Sequence, residues 1–367
     1  MPTRFDTDSR IVMTLDAGGT NLKFSAIRGN RILVGPITIP SDADNLEQCL
    51  ANIARGFEFV EAALPAPPAA ISFAFPGPAD YPAGIIGDLG NLPGFRGGVA
   101  LGPMLEERFS VPVFLNNDGD LFVYGEAIGG FLPYVNGLLE AAGSPKRYRN
   151  LFGITLGTGL GGGIVREGEL FAGDNSAAGE VWVLRNKLTP SVNAEEGASI
   201  RAVCRVYAQL ASIPIDQSPE PKTIYEIGIG KADGNRPAAI EAFRRLGEVA
   251  GDAVAQALTL VDGLVVIGGG ISGAHPLFLP ALVDAMNDVY EMTGKPPRRL
   301  IPQAFNIEDP IQCKQFLQSE VREIDVPGST RRILYDPVKR TAVGISRLGT
   351  SEAVSVGAYA FALNRLR

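Results

Sequence analysis

Asp16, Thr20, Asn21 and Lys23 surround the pair Gly18-Gly19 at the end of an apolar run, offering a carboxylate and several donors beside a turn that a ligand can approach closely. A second glycine-rich stretch, Gly157-Thr158-Gly159-Leu160-Gly161-Gly162-Gly163, follows another apolar run. Two such turns suit a nucleotide's phosphates, because glycine lacks the side chain that would hold a phosphate away from backbone amides. Asp16 is placed to hold a hydrated magnesium ion near them. Asn117-Asp118 follows the apolar run Val113-Phe114-Leu115, at the C-terminal end of an expected strand, where α/β sheets present ligand-binding groups. There Asp118 can take a hydroxyl proton during phosphoryl transfer. It also reads as part of an Asx turn or helix cap, and the two roles are compatible.

The spacing Gly157-x-Gly159-x-x-Gly162 formally matches a dinucleotide fingerprint, which requires a helix after the glycines. Here Gly163-Ile164-Val165-Arg166-Glu167-Gly168 follows, a short strand and a turn, so a phosphate-facing hairpin is the better reading. Asp-x-Gly-Gly-Thr taken alone also reads as an ordinary tight hairpin. Glu180 and Glu195 are carboxylates able to hold a sugar through paired hydrogen bonds, although from sequence alone each reads more simply as a surface glutamate.

These groups need elements to position them. Ile11 to Leu15 predicts a buried strand, Leu22 to Ile27 its returning partner, and Ile32 to Ile39 a third strand. Ser41 to Ala63 carries helical spacing with Ser41 or Asp42 as cap, and Ala70 to Phe75 is a further strand. The second half repeats the scheme: strand Leu151 to Leu156, a glycine turn, return strand Gly163 to Val165, long helix Ala238 to Leu260, strand Leu264 to Ile267 and the turn Gly268-Gly269-Gly270 into a region capped by Ser272. Two copies point to a duplicated α/β domain rather than a solenoid. Pro214 to Pro237 predicts a loop holding one short helix, Pro296 to Pro337 an insertion on the second lobe, and Ser351 to Leu366 a terminal helix.

A chain of 367 residues exceeds the size at which one core keeps growing, so two lobes with a cleft between them are expected. With 33 Lys and Arg against 40 Asp and Glu, the formal charge of −7 gives no footprint for wrapping nucleic acid. The local pairs Arg298-Arg299 and Arg331-Arg332 read as solvated surface. No apolar stretch reaches membrane-spanning length and the first ten residues are polar, which makes a cytoplasmic protein the expectation. Cys49, Cys204 and Cys313 lie far apart, outside any CxxC pattern, so neither a disulfide framework nor a zinc site is indicated.

The segments LDAGGTNLKFSAI, FAFPGPADYPAGIIGDLGNLPGF, FLNNDGDLFVYGEA, ITLGTGLGGGIV, AAGE and VVIGGGIS, in this order between residues 11 and 273, together resemble the ROK family of sugar kinases and repressors. The resemblance implies a duplicated α/β fold of the actin-like ATPase (ribonuclease H-like) type. An N-terminal lobe of residues 11–127 plus the helix 351–367 would bind sugar and phosphate, and a C-terminal lobe of 128–350, with the insertion 296–337, would bind the nucleotide. It further implies an ATP- and magnesium-dependent kinase acting on a hexose, glucose at its 6-hydroxyl foremost, or on an N-acetylhexosamine or fructose. A homodimer is compatible with it. By carry-over, Gly18, Gly19, Thr20, Thr158 and Gly159 approach the phosphates, Gly269 and Gly270 lie against the adenosine, and Asp118 is the base. Pro76, Gly77, Asn91, Asn117, Glu180 and Glu195 line the sugar pocket.

This chain departs from the family pattern. Members commonly carry Gly-His just after Ala-Gly-Glu and then a cysteine-rich zinc segment; here those positions read Trp182-Val183 and Arg185 to Asn193. Structural zinc is therefore not expected, and either another group replaces the histidine at Val183 or the substrate differs. A sugar or nucleotide sensor that kept the fold without turnover is the rival reading. The repressor branch needs a helix-turn-helix ahead of the first strand, where only ten residues stand, so DNA binding by that route is not expected.

Overall fold

A computed structural model describes residues 5–17, 20–89, 92–292, 294 and 297–366. The chain divides into two compact units, Met1–Gly130 with Gly168–Ala178 and Leu348–Arg367, and Phe131–Glu167 with Gly179–Arg347. The segment 168–178, expected with the second lobe, groups with the first unit. Among the described residues no helix is long and apolar enough to cross a membrane.

In the first unit a five-stranded sheet runs in the order Arg31–Pro40, Asn21–Arg28, Val12–Ala17, Ala70–Ala74, Val113–Asn116. The first three strands are antiparallel neighbours, and the last three are parallel. Its core is aromatic: Phe57 meets Phe24 edge-on at 5.1 Å between ring centroids, and Phe75 lies 5.3 Å from Phe95. The first helix is Leu46–Ala62 and is capped by Asn45, whose side chain accepts from the Gln48 amide at 3.1 Å. The expected caps fail for a local reason. Asp42 stands at φ 47°, outside helical geometry, and its carboxylate accepts instead from Asn52 Nδ2 at 2.7 Å.

Asp118–Ile128 forms the helix that follows the last strand, and Thr350–Arg365 packs along it. Glycine permits this approach. A Cβ on Gly125 would lie 1.9 Å from the Ala353 carbonyl oxygen, and one on Gly357 2.0 Å from that of Leu121. The two backbones are thus closer than any side chain would allow.

The second unit repeats the plan. Leu160–Arg166 and Leu151–Leu156 form an antiparallel hairpin, and Leu264–Gly268, Arg340–Ile345 and Gln303–Asn306 continue the sheet in parallel. The helix Arg236–Val261 packs against His275–Met286, with Gly247 and Gly251 under the carbonyls of Phe278 and Leu282. The stretch 296–337 is only partly an insertion. Gln303–Asn306 is a strand of the sheet itself, too short for its periodicity to show, followed by the helix Pro310–Leu317 and the hairpin Arg322–Asp325 with Arg332–Tyr335.

Replacing Gly357 by Ala should destabilise the fold by about 1–3 kcal/mol through overpacking, despite the roughly 1 kcal/mol by which alanine favours an isolated helix. Denaturant unfolding would show it as a lowered midpoint. An unchanged or raised midpoint would mean that the glycine contact is not tight.

Candidate active site

Three strand ends of the first unit stand in a row, because Asp16 pairs with Ala74 and Ala74 with Asn116 in the parallel ladders. The chain leaves this edge through Pro76-Gly77 after one strand and Asn117-Asp118 after the next. Asn117 is the N-cap: its side-chain oxygen accepts from the Gly119 amide at 2.8 Å, so its carbonyl end is occupied. Asp118 is therefore the first helical residue, and its own Oδ1 accepts from the same amide at 2.9 Å.

Crowding by the surrounding protein pushes the Asp118 carboxyl above the usual carboxylate range, the Gly119 and Asp118 amides pull it down, and the Asp16 carboxylate adds a further upward push. Asp118 is nevertheless exposed by its own surface area, so the surrounding protein crowds the carboxyl without covering it. Asp16, Thr20, Asn21 and Lys23 are exposed, with Lys23 paired across the hairpin from Asp16. Asp16 has no ion-pair partner among the described residues. Gly18, Gly19 and Asn91 lie outside the described residues.

In the second unit the turn Gly157–Gly159 closes on itself, the Gly157 amide donating to the Gly159 carbonyl at 3.0 Å, while the Gly157 carbonyl accepts from Ile200 at 2.8 Å. The Thr158 and Gly159 amides have no partner among the described residues. Glu195 sits under this turn: its Oε2 accepts from the Leu160 amide at 3.1 Å, and its Oε1 pairs with Arg201 at 3.1 Å. Gly269, at φ 88°, lies so close to Leu156 that a Cβ would fall 2.3 Å from that carbonyl oxygen. Gly157 and Gly270 instead face open space. The register of Gly268 with Thr155 brings both glycine turns to one edge of the sheet. Ser272 donates its hydroxyl to the Gly269 carbonyl at 2.7 Å, bracing the second turn rather than capping a helix.

Two features escaped the sequence reading. Gly161 and Gly162 already belong to the return strand, and the packing of Gly179 against Gly162 and Gly163 is tight: a Cβ on Gly162 would lie 2.4 Å from the Gly179 carbonyl oxygen, and one on Gly179 2.9 Å from the Gly163 Cα. That contact sets Glu180 beside the strand. Secondly, the Trp182 indole N–H donates to the Glu180 carboxylate. The signal available was the chain's single tryptophan, two residues after the glutamate. Val183 is exposed and carries no donor.

The segment Arg185 to Asn193 closes without cysteines. The Asn186 amide donates to the Val192 carbonyl at 3.1 Å, and its buried side-chain oxygen accepts from Leu188 and Thr189 at 2.9 and 3.0 Å. Among the described residues no group of three or more His, Cys, Asp or Glu side chains is placed to hold a metal directly.

The sequence pattern of the ROK family matches residues 12–306. The chain belongs to the ROK family. A crystal structure of a glucokinase from Parabacteroides distasonis is 53% identical, superposes with a TM-score of 0.91, and is covered over 98% of this chain and 99% of that one. A ROK family glucokinase from Streptomyces griseus, in complex with glucose and AMPPNP, is 20% identical with a TM-score of 0.60, over 96% and 99% of the two chains, a likeness of fold alone. With these relatives the duplicated α/β architecture is that of the actin-like ATPases. Among curated proteins, the Streptomyces coelicolor glucokinase is 29% identical over 48% of this chain and 56% of its own, so the match spans little more than half of that relative. The N-acetyl-D-glucosamine kinase of Vibrio parahaemolyticus is 27% identical over 72% of this chain and 85% of its own.

The charge on Asp118 has a cost that stability measurements can read. A carboxyl with a raised folded pKa holds its proton more tightly folded than unfolded. The ROK chain is therefore penalised at neutral pH, and the penalty fades as pH falls through the folded pKa toward the ordinary value. Asp118→Asn should melt higher than wild type at pH 7, with the difference closing toward about pH 4. A variant melting at or below wild type at pH 7 would contradict this assignment.

Proposed function

We propose that this ROK protein is an ATP-dependent sugar kinase that phosphorylates a hexose, with glucose at its 6-hydroxyl as the first candidate and Asp118 as the general base. The observation that carries the reading is the Asp118 carboxyl: crowded, raised in pKa, fixed at a helix start and in one row with Asp16. Such a group takes the sugar hydroxyl's proton as the new oxygen–phosphorus bond forms and the bond to the departing ADP breaks. ATP would place its phosphates at the free amides of Thr158 and Gly159 and its adenosine along Gly269 and Gly270. Gly157 and Gly270 leave the open space this requires. Gly18, Gly19, Thr20, Asn21 and Lys23 would also serve the phosphates, as the family resemblance implies.

Magnesium fits the oxygen donors at this edge, where the unpaired Asp16 carboxylate would hold it through water; bound there, it would neutralise phosphate charge. Pro76, Gly77, Asn91 and Asn117 would contact the sugar, together with Glu180 and Glu195. For Asn117 the free group is its amide nitrogen, since the oxygen caps the helix. Trp182, whose indole N–H donates to Glu180, would position that carboxylate toward the sugar.

The longer reach of the Vibrio relative favours one second reading, an N-acetylhexosamine as acceptor. The test is ADP formation with magnesium and ATP across glucose, mannose, fructose, N-acetylglucosamine, N-acetylmannosamine and no sugar. Sugar-dependent turnover should fall roughly 10²- to 10⁴-fold in Asp118→Asn, with ATP affinity retained. The acidic limb of kcat/KM in wild type should lie above the pH of an ordinary aspartate, because the base must be ionised and its pKa is raised. Sugar-induced stabilisation without ADP release in any arm would instead make the protein a sensor. Trp182→Phe, which keeps the ring and deletes the donor, should raise the sugar KM about five- to tenfold with kcat little changed. A fall in kcat at constant KM would remove Trp182 from that role.

A further inference from the structure

The second unit contains a cavity of about 1040 Å³ at the opposite edge of its sheet from the glycine turns. It is lined where the parallel strands begin: by Asn150 just before Leu151, by Asp262 ahead of Leu264, by Pro302 before Gln303, and by Lys339 and Arg340 at the start of the next strand. The glycine turns follow the other ends of the strands Leu151–Leu156 and Leu264–Gly268, so roughly 15–20 Å of strand separates the two places, at about 3.3 Å per residue. The cavity therefore does not belong to the site described above.

Its charge runs against that of the chain. Seven lining residues are Lys or Arg and two are carboxylates, in a protein of formal charge −7. Part of this charge is matched locally. Arg149 pairs with Glu167 at 3.2 Å, Arg299 with Asp252 at 3.2 Å, and Arg147 donates to the carbonyls of Ser144 and Lys146. Lys146, Arg298 and Lys339 have no carboxylate within 4.0 Å among the described residues; the Lys146 ammonium donates to the Val338 carbonyl at 3.4 Å and lies 5.2 Å from the centroid of the Tyr148 ring.

Arg340 is the second, independent observation. Its side chain is fully buried, and Nη1 is held by Asp336 at 2.8 Å, yet Nε and Nη2 have no hydrogen-bond partner. A buried guanidinium left with unmet donors is costly, and such groups in folded proteins call for an explanation. Burial, and then the neighbouring Arg340 charge, push the Lys146 ammonium below its usual pKa, against the opposing pull of Asp336 and Asp262.

We propose that this cavity is a binding site for a small anion carrying two or more phosphoryl groups, held by Lys146, Arg298 and Lys339, with the buried Arg340 charge behind them. Concave cationic walls focus potential on such a ligand, and the volume lies at the upper end of the usual range for ligand pockets, more than a single phosphate needs. Sugar bisphosphates and nucleoside polyphosphates share this chemistry.

The test is calorimetric titration of the full chain with inorganic tripolyphosphate, fructose 1,6-bisphosphate and GTP in separate arms, at about 0.15 M ionic strength so that general attraction is screened. Each is repeated on Arg298→Ala/Lys339→Ala, two exposed side chains whose loss leaves the fold intact, and on Lys146→Met. At least one arm should bind, and its affinity should fall tenfold or more in both variants, while sugar-dependent ADP formation without the ligand is unchanged. The arm that binds most tightly names the source. Binding that survives both variants would assign the anion to the glycine turns, and sulfate binding as well as the probes would reduce the effect to non-specific charge. Either result, or no binding in any arm, overturns the proposal. Because the readout is binding, it stands or falls separately from the kinase reading.

Discussion

The backbone register that sets Asp16 opposite Ala74, and Ala74 opposite Asn116, is the constraint on which the first unit's chemistry depends. Side chains alternate across a strand, so a slip of one residue would exchange the two buried faces of Val12–Ala17 and carry Asp16 out of line with Ala74 and Asn116. The aromatic cluster around Phe57 and Phe73 holds the register from one side. From the other, the C-terminal helix presses on Asp118–Ile128 through Gly125 and Gly357. The placement of a carboxylate at residue 118 thus draws on chain more than 200 residues away, as does the buried Glu126 in the same helix, which accepts from the Leu348 amide at 3.0 Å.

Asp118 shows opposed electrostatic effects at a single group. A helix N-terminus and two backbone amides favour the anion. Loss of bulk solvent and the nearby Asp16 carboxylate disfavour it, and they prevail. A carboxylate less stable as an anion than one in water is more basic than an ordinary aspartate. That is the property a proton acceptor needs, and a fold selected only for stability would have no reason to keep it.

The elements carrying these groups were legible because their signals are local. Alternating apolar residues ending in glycine or Asn-Asp locate strand ends from sequence, and both hairpins and the long helix Arg236–Val261 lie where that pattern puts them. The failures involve partners distant in sequence. Asn45 displaces Ser41 and Asp42 as cap because Asp42 is engaged by Asn52. Gly161 and Gly162 read as part of the glycine turn, yet they lie in the strand, where Gly162 packs against Gly179, a backbone contact that no spacing rule encodes. Gln303–Asn306 was hidden in a presumed insertion because a four-residue strand is specified by its neighbour Arg340–Ile345 rather than by its own pattern. Arg298 and Arg299 read as surface charge, since only the fold brings Lys146 and Arg340 to the same cavity.

The segment from Arg185 to Asn193 shows how a site can be supported without the cysteine-rich segment that the family resemblance leads one to expect. A metal fixes a loop by bonding side chains from several points at once. Here the fixing is distributed. Asn186 is buried and bonds two amides within the loop, the Ala194 amide donates to the Leu184 carbonyl at 2.7 Å, and Asn193 caps the short turn that carries Glu195. Each bond contributes only about 1 kcal/mol, so the loop depends on all of them being made together. Gly197 comes within 2.5 Å of the Asn186 amide nitrogen when given a Cβ, which leaves little room for Asn186 to settle elsewhere. Glu195 is then fixed at both oxygens, by the Leu160 amide and by Arg201. The loop, the glutamate and the turn Gly157–Gly159 form one hydrogen-bonded assembly, so a change at Asn186 would reach that turn through Glu195.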